Sequence, residues 1–317
     1  MNVEKLSPIR IVFMGTPDFA IPALSEIHNS RHQLVAVVTI PDKKAGRGRQ
    51  VRPSAVKEWA LDHQYPLLQP DSLEDPVFLN NIRDCQADVF VVVAFRILPP
   101  QLYEIPPFGS VNIHASLLPR YRGAAPIQRA LMKGETETGV TIFQIEKKVD
   151  TGGILMQERI PIQSEDQLGD LWQRLAQCGG QSLLPALEGL ISGKITPCKQ
   201  DDSISSRAPK IQKKDTQINW QRSAEVIHNQ IRALSPCPGA SSLLGGKKIK
   251  LLRARISQDK VQDLEPGEIQ PMKDHLNVGT GSGILEVLEV HPEGKRRQTT
   301  KEYLQGHKFA PDTYFND

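Results

Sequence analysis

Four short, β-branched apolar runs punctuate the first third of the chain: IRIVFM (9–14), LVAVVTI (34–40), ADVFVVVA (87–94) and GSVNIH (109–114), with helical patterns between them. Strands separated by helices cannot pair through tight hairpins and need crossover connections. This alternation predicts a mostly parallel, doubly wound sheet with helices on both faces. The first run leads into GTPDFAIPALSEIHN, a Gly turn followed by a helix. That turn lacks the G-x-G-x-x-G fingerprint, so a dinucleotide cofactor is poorly supported.

The 317 residues suggest two domains. VTIFQIEKKVD (140–150) reads as a further strand leading to a DTGG turn, and residues 168–190 as a helix closing the first domain. From 192 to 214 the hydrophobic periodicity fades into Ser, Lys, Pro and Asp, the composition of a linker. Residues 219–234 look like an amphipathic helix stopped by SPCPGA. Short β-like runs separated by Gly-rich turns then predict a small, OB-like β-barrel. The expected organisation is a first domain over 1–191, a linker over 192–214 and a barrel domain over 215–317.

Charge separates these parts. Residues 1–200 hold 21 basic and 21 acidic side chains, whereas 207–255 hold 11 basic and 2 acidic. Such a block either grips a polyanion or forms a solvated face. Its leading phosphate-binding candidates are Lys210, Lys213, Lys214, Lys247, Lys248 and Lys250. A second basic segment, PDKKAGRGRQVRP (41–53), carries Lys43, Lys44, Arg47 and Arg49; it is either a surface loop or a cationic arm for phosphates. Four cysteines show neither a C-x-x-C pair nor His at finger-like spacing, so no metal site and no disulfide framework is expected. No secretory signal is recognisable, and no apolar run approaches the roughly 18 residues needed to span a bilayer. A cytoplasmic protein without a membrane partner is expected.

The residue pattern of greatest chemical interest lies in VNIHASLLPRYRGAAPIQRAL (111–131) and KVDTGGIL (148–155). Period-2 alternation puts Asn112 and His114 on one face of a strand, at its exit, where open α/β sheets bind ligands. Asp150, in a Gly-rich turn, is placed to fold back onto the imidazole. Amide, imidazole and carboxylate together suit acyl transfer. Asn112 would hold an oxyanion, His114 would act either as proton acceptor or as donor, and Asp150 would orient the ring. Ser116 lacks the G-x-S-x-G elbow of a nucleophile and reads as part of a turn.

These segments, with MGTPDFA, VVVAF, ETGVTIFQIEKKVDTGGIL, the INW segment and SPCPGA, occur in the order and at the spacing of the methionyl-tRNA formyltransferase family, which the chain resembles from about residue 9 to its C-terminus. The resemblance implies a Rossmann-like formyltransferase domain followed by a tRNA-binding barrel. It also implies transfer of a formyl group from 10-formyltetrahydrofolate to initiator methionyl-tRNA by a protein acting as a monomer. Asn112, His114 and Asp150 fall on the family's catalytic triad, and Ser116, Leu117, Leu118 and Pro119 on its folate-binding signature. The 41–53 loop falls where the family wedges near the first base pairs to select the initiator. Two departures stand out. The AFRILP segment is one residue shorter than is common and lacks a Gly, and related purine-precursor formyltransferases imply Arg96, Ile97 and Leu98 as pocket residues there. Cys237 stands where a Trp is frequent. A formyltransferase for a small amine, or an idle tRNA-binding protein on the same fold, remain the alternatives; a basic loop and barrel disfavour the first, an intact triad the second.

Overall fold

The computed structural model describes residues 7–45, 50–258, 264–307, 309–310 and 313–316. In chain order the strands are β1 (Arg10–Gly15), β2 (Gln33–Val38), β3 (Lys43–Ala45), β4 (Gln50–Arg52), β5 (Leu67–Leu68), β6 (Val89–Val93), β7 (Ser110–His114), β8 (Glu137–Gln144), β9 (Ile154–Pro161), β10 (Ala240–Leu244), β11 (Lys247–Ile256), β12 (Ile269–Pro271), β13 (Leu276–Gly279), β14 (Ile284–Pro292), β15 (Gln298–Thr299) and β16 (Phe315–Asn316). The α-helices are α1 (Ile21–His28), α2 (Ala55–Asp62), α3 (Pro76–Asp84), α4 (Pro100–Tyr103), α5 (Pro126–Met132), α6 (Leu168–Ile191), α7 (Ala224–Leu234) and α8 (Thr300–Gln305). They fall into two compact units. The first comprises residues up to Gly123, Glu137–Pro161 and Trp172–Ala208; the second comprises Ala124–Thr136, Ile162–Leu171 and the chain from Pro209 onward.

The first unit is built on a sheet of order β5-β2-β1-β6-β7-β8-β9. Pairings from β5 through β7 are parallel, and β7–β8 and β8–β9 are antiparallel. The expected doubly wound, mostly parallel sheet is therefore present, extended by an antiparallel pair. Its central strands are apolar at nearly every position because both faces are covered: all five residues of β6 are buried. After β1 the chain winds outward to β2 and β5, then crosses to β6 on the other side of β1. That reversal puts the topological switch point between β1 and β6, and the exit of β7 lies one strand further along.

The second unit is an antiparallel sheet of order β12-β13-β14-β11-β10-β16, with β15 added at β14. Its two outer strands meet. Glu268 bridges Tyr314, the Ile269 N–H donates to the Thr313 carbonyl at 2.9 Å, and the Phe315 N–H donates to the Gly267 carbonyl at 2.8 Å. The sheet thus curls into a nearly closed barrel of the expected OB-like kind, which removes its exposed edges. Ile227, Ile231, Leu251, Leu276, Val278, Leu285 and Val287 fill its core, and Trp220 stacks on Phe315 with ring centroids 5.3 Å apart. α7 starts at Ala224 with Ser223 as its N-cap, later than the expected 219. Ile218 and Trp220 ahead of it are buried in the barrel core instead of forming a first helical turn.

Candidate active site

β7 delivers Asn112 and His114 as its alternation requires. The residue between them, Ile113, is buried against the opposite face, and the His114 ring sits edge-on to Phe143 of the neighbouring β8, centroids 6.5 Å apart. Asn112 is half-buried, and its side-chain amide has no hydrogen-bond partner among the described residues. His114 is only 7% exposed. Its Nε2 lies 2.9 Å from the Tyr121 carbonyl oxygen. A carbonyl only accepts, so Nε2 carries a proton and Nδ1 is the nitrogen left to exchange one.

Nδ1 faces Asp150. The distance to its Oδ2 is 3.7 Å, too long for a direct hydrogen bond but within ion-pair reach once the ring is charged. Reaching this position requires a long return. β8 runs antiparallel to β7 and ends at Gln144, opposite Val111, so the segment carrying Asp150 must double back along the sheet toward the imidazole. Glycine makes that return sterically feasible: a Cβ on Gly152 would lie 1.8 Å from the Gln144 carbonyl oxygen. Asp150 itself adopts a left-handed φ of 55°, which Asp tolerates better than most residues.

Two groups that local sequence patterns do not reveal hold this turn. The Gly123 N–H donates to Asp150 Oδ2 at 2.8 Å. Gln200 is 5% exposed, and its Nε2 donates to the carbonyls of Asp150 and Gly152 at 3.0 and 2.9 Å. Gln200 Oε1 accepts from Nε and Nη2 of Arg122 at 3.1 and 2.7 Å. The segment around Gln200 is itself tied down, with Cys198 paired to Ile154, Ser206 hydrogen-bonded to Tyr121, and Ala208 to Arg122. Arg122 was visible as part of SLLPRYRGAAP. Gln200 stands in the polar run PCKQDD, which offers no periodic or motif signal.

The residues expected to bind folate occupy several environments. Ser116 is fully buried and donates to the Arg120 carbonyl at 2.7 Å, an arrangement of a tight turn. Thr141 Oγ1 donates to the Ser116 carbonyl and accepts from the Leu118 N–H, and Gln157 Nε2 donates to the Leu118 carbonyl at 2.8 Å. Leu118 and Pro119 are buried and Leu117 is half-buried. Arg96 reaches the carbonyls of Asp71 and Pro70 at 2.9 and 2.8 Å, and its buried Nε–H has no partner among the described residues. Burial pulls its guanidinium below the usual range, opposed by the nearby Asp71. Ile97 is 77% exposed, whereas Leu98 is buried with Val12, Met14 and Leu102 in the core beneath β6.

The candidate phosphate-binding lysines lie on the second unit. Lys213 and Lys214 belong to the 3-10 turn Lys213–Thr216, and Lys247, Lys248 and Lys250 to β11. Lys210, Lys213, Lys214, Lys247 and Lys248 are exposed, and Lys250 is half-buried. None of the six forms an ion pair among the described residues. In the other basic segment, β3 and β4 pair as an antiparallel ribbon, Lys43 opposite Arg52. Arg47 and Arg49 lie outside the described residues. Among the described residues no group of three or more His, Cys, Asp or Glu side chains is arranged to hold a metal ion, and no helix is long and apolar enough to cross a membrane.

A family model described as formyl transferase matches residues 9–187, and one described as formyl transferase, C-terminal domain, matches 210–308. A methionyl-tRNA formyltransferase of Geobacter sulfurreducens is 41% identical over 310 residues, covering 97% of this chain and 97% of that one. One from Trichlorobacter lovleyi is 44% identical over 306 residues, covering 96% of each. Among solved structures, an N-formyltransferase from Helicobacter canadensis, complexed with folinic acid and dTDP-3-aminofucose, aligns with a TM-score of 0.68 at 21% identity. The alignment covers 88% of this chain and 98% of that one and speaks to the fold alone.

Proposed function

The chain belongs to the methionyl-tRNA formyltransferase family, and from that premise we propose how Asn112, His114 and Asp150 carry the reaction. The protein moves a formyl group from a tetrahydrofolate donor to the α-amine of initiator methionyl-tRNA, giving N-formylmethionyl-tRNA for translation initiation. In our reading the donor is 10-formyltetrahydrofolate, and the chemistry below uses no metal ion. The working unit in this reading is a monomer. It acts in the cytoplasm, where charged tRNA is found.

The neutral amine attacks the formyl carbon, and the carbonyl π pair moves onto oxygen. Collapse breaks the bond to N10, and the proton lost by the amine ends on N10. Asn112 meets the developing oxyanion: its two N–H groups cannot ionise, and no protein group competes for them among the described residues. His114 handles the proton through Nδ1, because Nε2–H is already committed to the Tyr121 carbonyl. The imidazolium so formed pairs with Asp150, whose carboxylate is held by the Gly123 N–H. The observation that carries this reading is the 3.7 Å approach of Asp150 to Nδ1 across 36 residues of chain.

Ser116, Leu117, Leu118 and Pro119, with Arg96, Ile97 and Leu98, form the folate side of the site in this proposal. Arg96 is held in place there by the Asp71 and Pro70 carbonyls. Residues 1–191 supply the catalytic groups and 215–317 grip tRNA, while 192–214 join them and contribute both Gln200 beside the active-site turn and Lys210, Lys213 and Lys214 toward the tRNA. The exposed, unpaired state of Lys210, Lys213, Lys214, Lys247 and Lys248 supports their part in holding the phosphate backbone, with Lys250 beside them and Lys43, Lys44, Arg47 and Arg49 near the acceptor end. The test is to incubate purified protein with 10-formyltetrahydrofolate and either initiator or elongator methionyl-tRNA. Product on the initiator alone is expected. Equal product on both, or formylation of small amines only, would sink the assignment.

A further inference from the structure

We propose that Gln200 is a positioning residue for formyl transfer: its amide holds the Asp150–Gly152 turn so that the carboxylate faces His114, and Arg122 fixes which way the amide points. This rests on the reading of Asp150 as the partner of His114. Gln200 touches neither Asn112 nor the imidazole, so it acts through the turn.

The amide is fully used. Both Nε2 hydrogens go to carbonyls of the turn, and both Oε1 lone pairs receive N–H groups of Arg122. A flipped amide would set NH₂ against a guanidinium and oxygen against two carbonyls, so only one orientation is compatible with the surroundings. The turn needs such a constraint. A non-glycine residue at φ 55° lies in a sparsely populated region and persists only where its neighbours over-determine it.

The contacts close a ring. Asp150 Oδ2 receives the Gly123 N–H; Gly123 follows Arg122; Arg122 binds Gln200; and Gln200 binds the Asp150 carbonyl. Tyr121, one residue earlier, accepts from His114 Nε2. Imidazole and carboxylate are thus both referenced to residues 121–123, and Gln200 is the side chain that ties the Asp150 backbone to that segment. Arg122 also pairs with the exposed Asp202 at 2.8 Å, a contact that supports the guanidinium without reaching the turn.

Two variants test the idea, with kinetics on both substrates and thermal unfolding read in parallel. Gln200→Met keeps the shape and removes every hydrogen bond. Gln200→Glu keeps the pairing with Arg122 through one oxygen but turns the other toward the two carbonyls, and provides a second test should the Met variant be lost to misfolding. Each is expected to lower kcat about 10- to 100-fold, the scale of a misplaced catalytic group, with KM for tRNA and folate unchanged. In an Asp150→Ala background, Gln200→Met is expected to cost little more, because both changes act through the Asp150 side chain. Fully additive losses, a rise in KM at constant kcat, or wild-type kcat in Gln200→Glu would overturn the proposal. Full activity in Asp150→Ala alone would overturn it together with the reading of Asp150; loss in Asp150→Ala with unimpaired Gln200 variants would overturn this inference only.

Discussion

The proposed catalytic corner of the first unit and the lysine-bearing surface of the second are organised on opposite principles. Around His114 and Asp150, polar atoms are tied to backbone groups: Tyr121 O to the imidazole, Gly123 N–H to the carboxylate, Gln200 to the turn. Lys210, Lys213, Lys214, Lys247 and Lys248 project from the surface without ion pairs among the described residues. Charge developing at one carbon is stabilised only by groups already fixed at the right distance, whereas a polyanion is held by net charge and counterion release, which tolerate mobile side chains. Rigidity is concentrated where a fraction of an ångström matters.

The largest effects are expected in the corner. His114→Ala should lower kcat about 10²- to 10⁴-fold and Asn112→Ala about 10²- to 10³-fold in single-turnover formylation. If His114→Ala kept most of the activity, the contrast between the two regions would collapse. Asp150→Asn compared with Asp150→Ala sharpens it: near-equal loss means that the charge matters, and a much milder Asn variant means that geometry alone suffices.

Next in size comes Gly152→Ala. Its Cβ would meet the Gln144 carbonyl at 1.8 Å, so urea denaturation should show a loss of roughly 2–3 kcal/mol, against about 0.5 kcal/mol or less for Lys247→Ala on the exposed strand. Equal stabilities in the two variants would mean that the turn is not the constrained element described here.

Smaller effects belong to the basic surface. Replacing Lys213 and Lys214 together by Ala should weaken tRNA binding and reduce the slope of log K against log salt by about 2, with folate KM unchanged. A slope identical to wild type would show that these lysines form only a solvated face. Lys247→Ala alone should lower the slope by about 1, the least of these effects, measured in the same titration.

Asn112 and His114 were legible because alternation along a strand is a local property of extended backbone, and SVNIH displays it without any partner present. The doubly wound sheet was legible for a similar reason, since a run such as VFVVV states that both faces are covered. Barrel strands could be read from their turns, yet the seam between residues 267–269 and 313–315 could not, because nothing local marks which outer strands will meet. Trp220 shows the opposite failure. It fits a helical pattern from 219 onward, but stacking on Phe315 in the barrel core took it out of the helix.

What the sequence determined alone is which chemical groups are available and which strand face bears two of them, since covalent identity and a two-residue period need no tertiary contact. What only the tertiary structure decided is how those groups are used. Nε2 of His114 is taken by a carbonyl seven residues on, leaving Nδ1 to Asp150, and a glutamine 50 residues beyond Asp150 holds that turn. Hydrogen bonds to backbone carbonyls depend on where the chain returns in space, and any residue supplies the carbonyl, so they leave no mark on the letters of the chain.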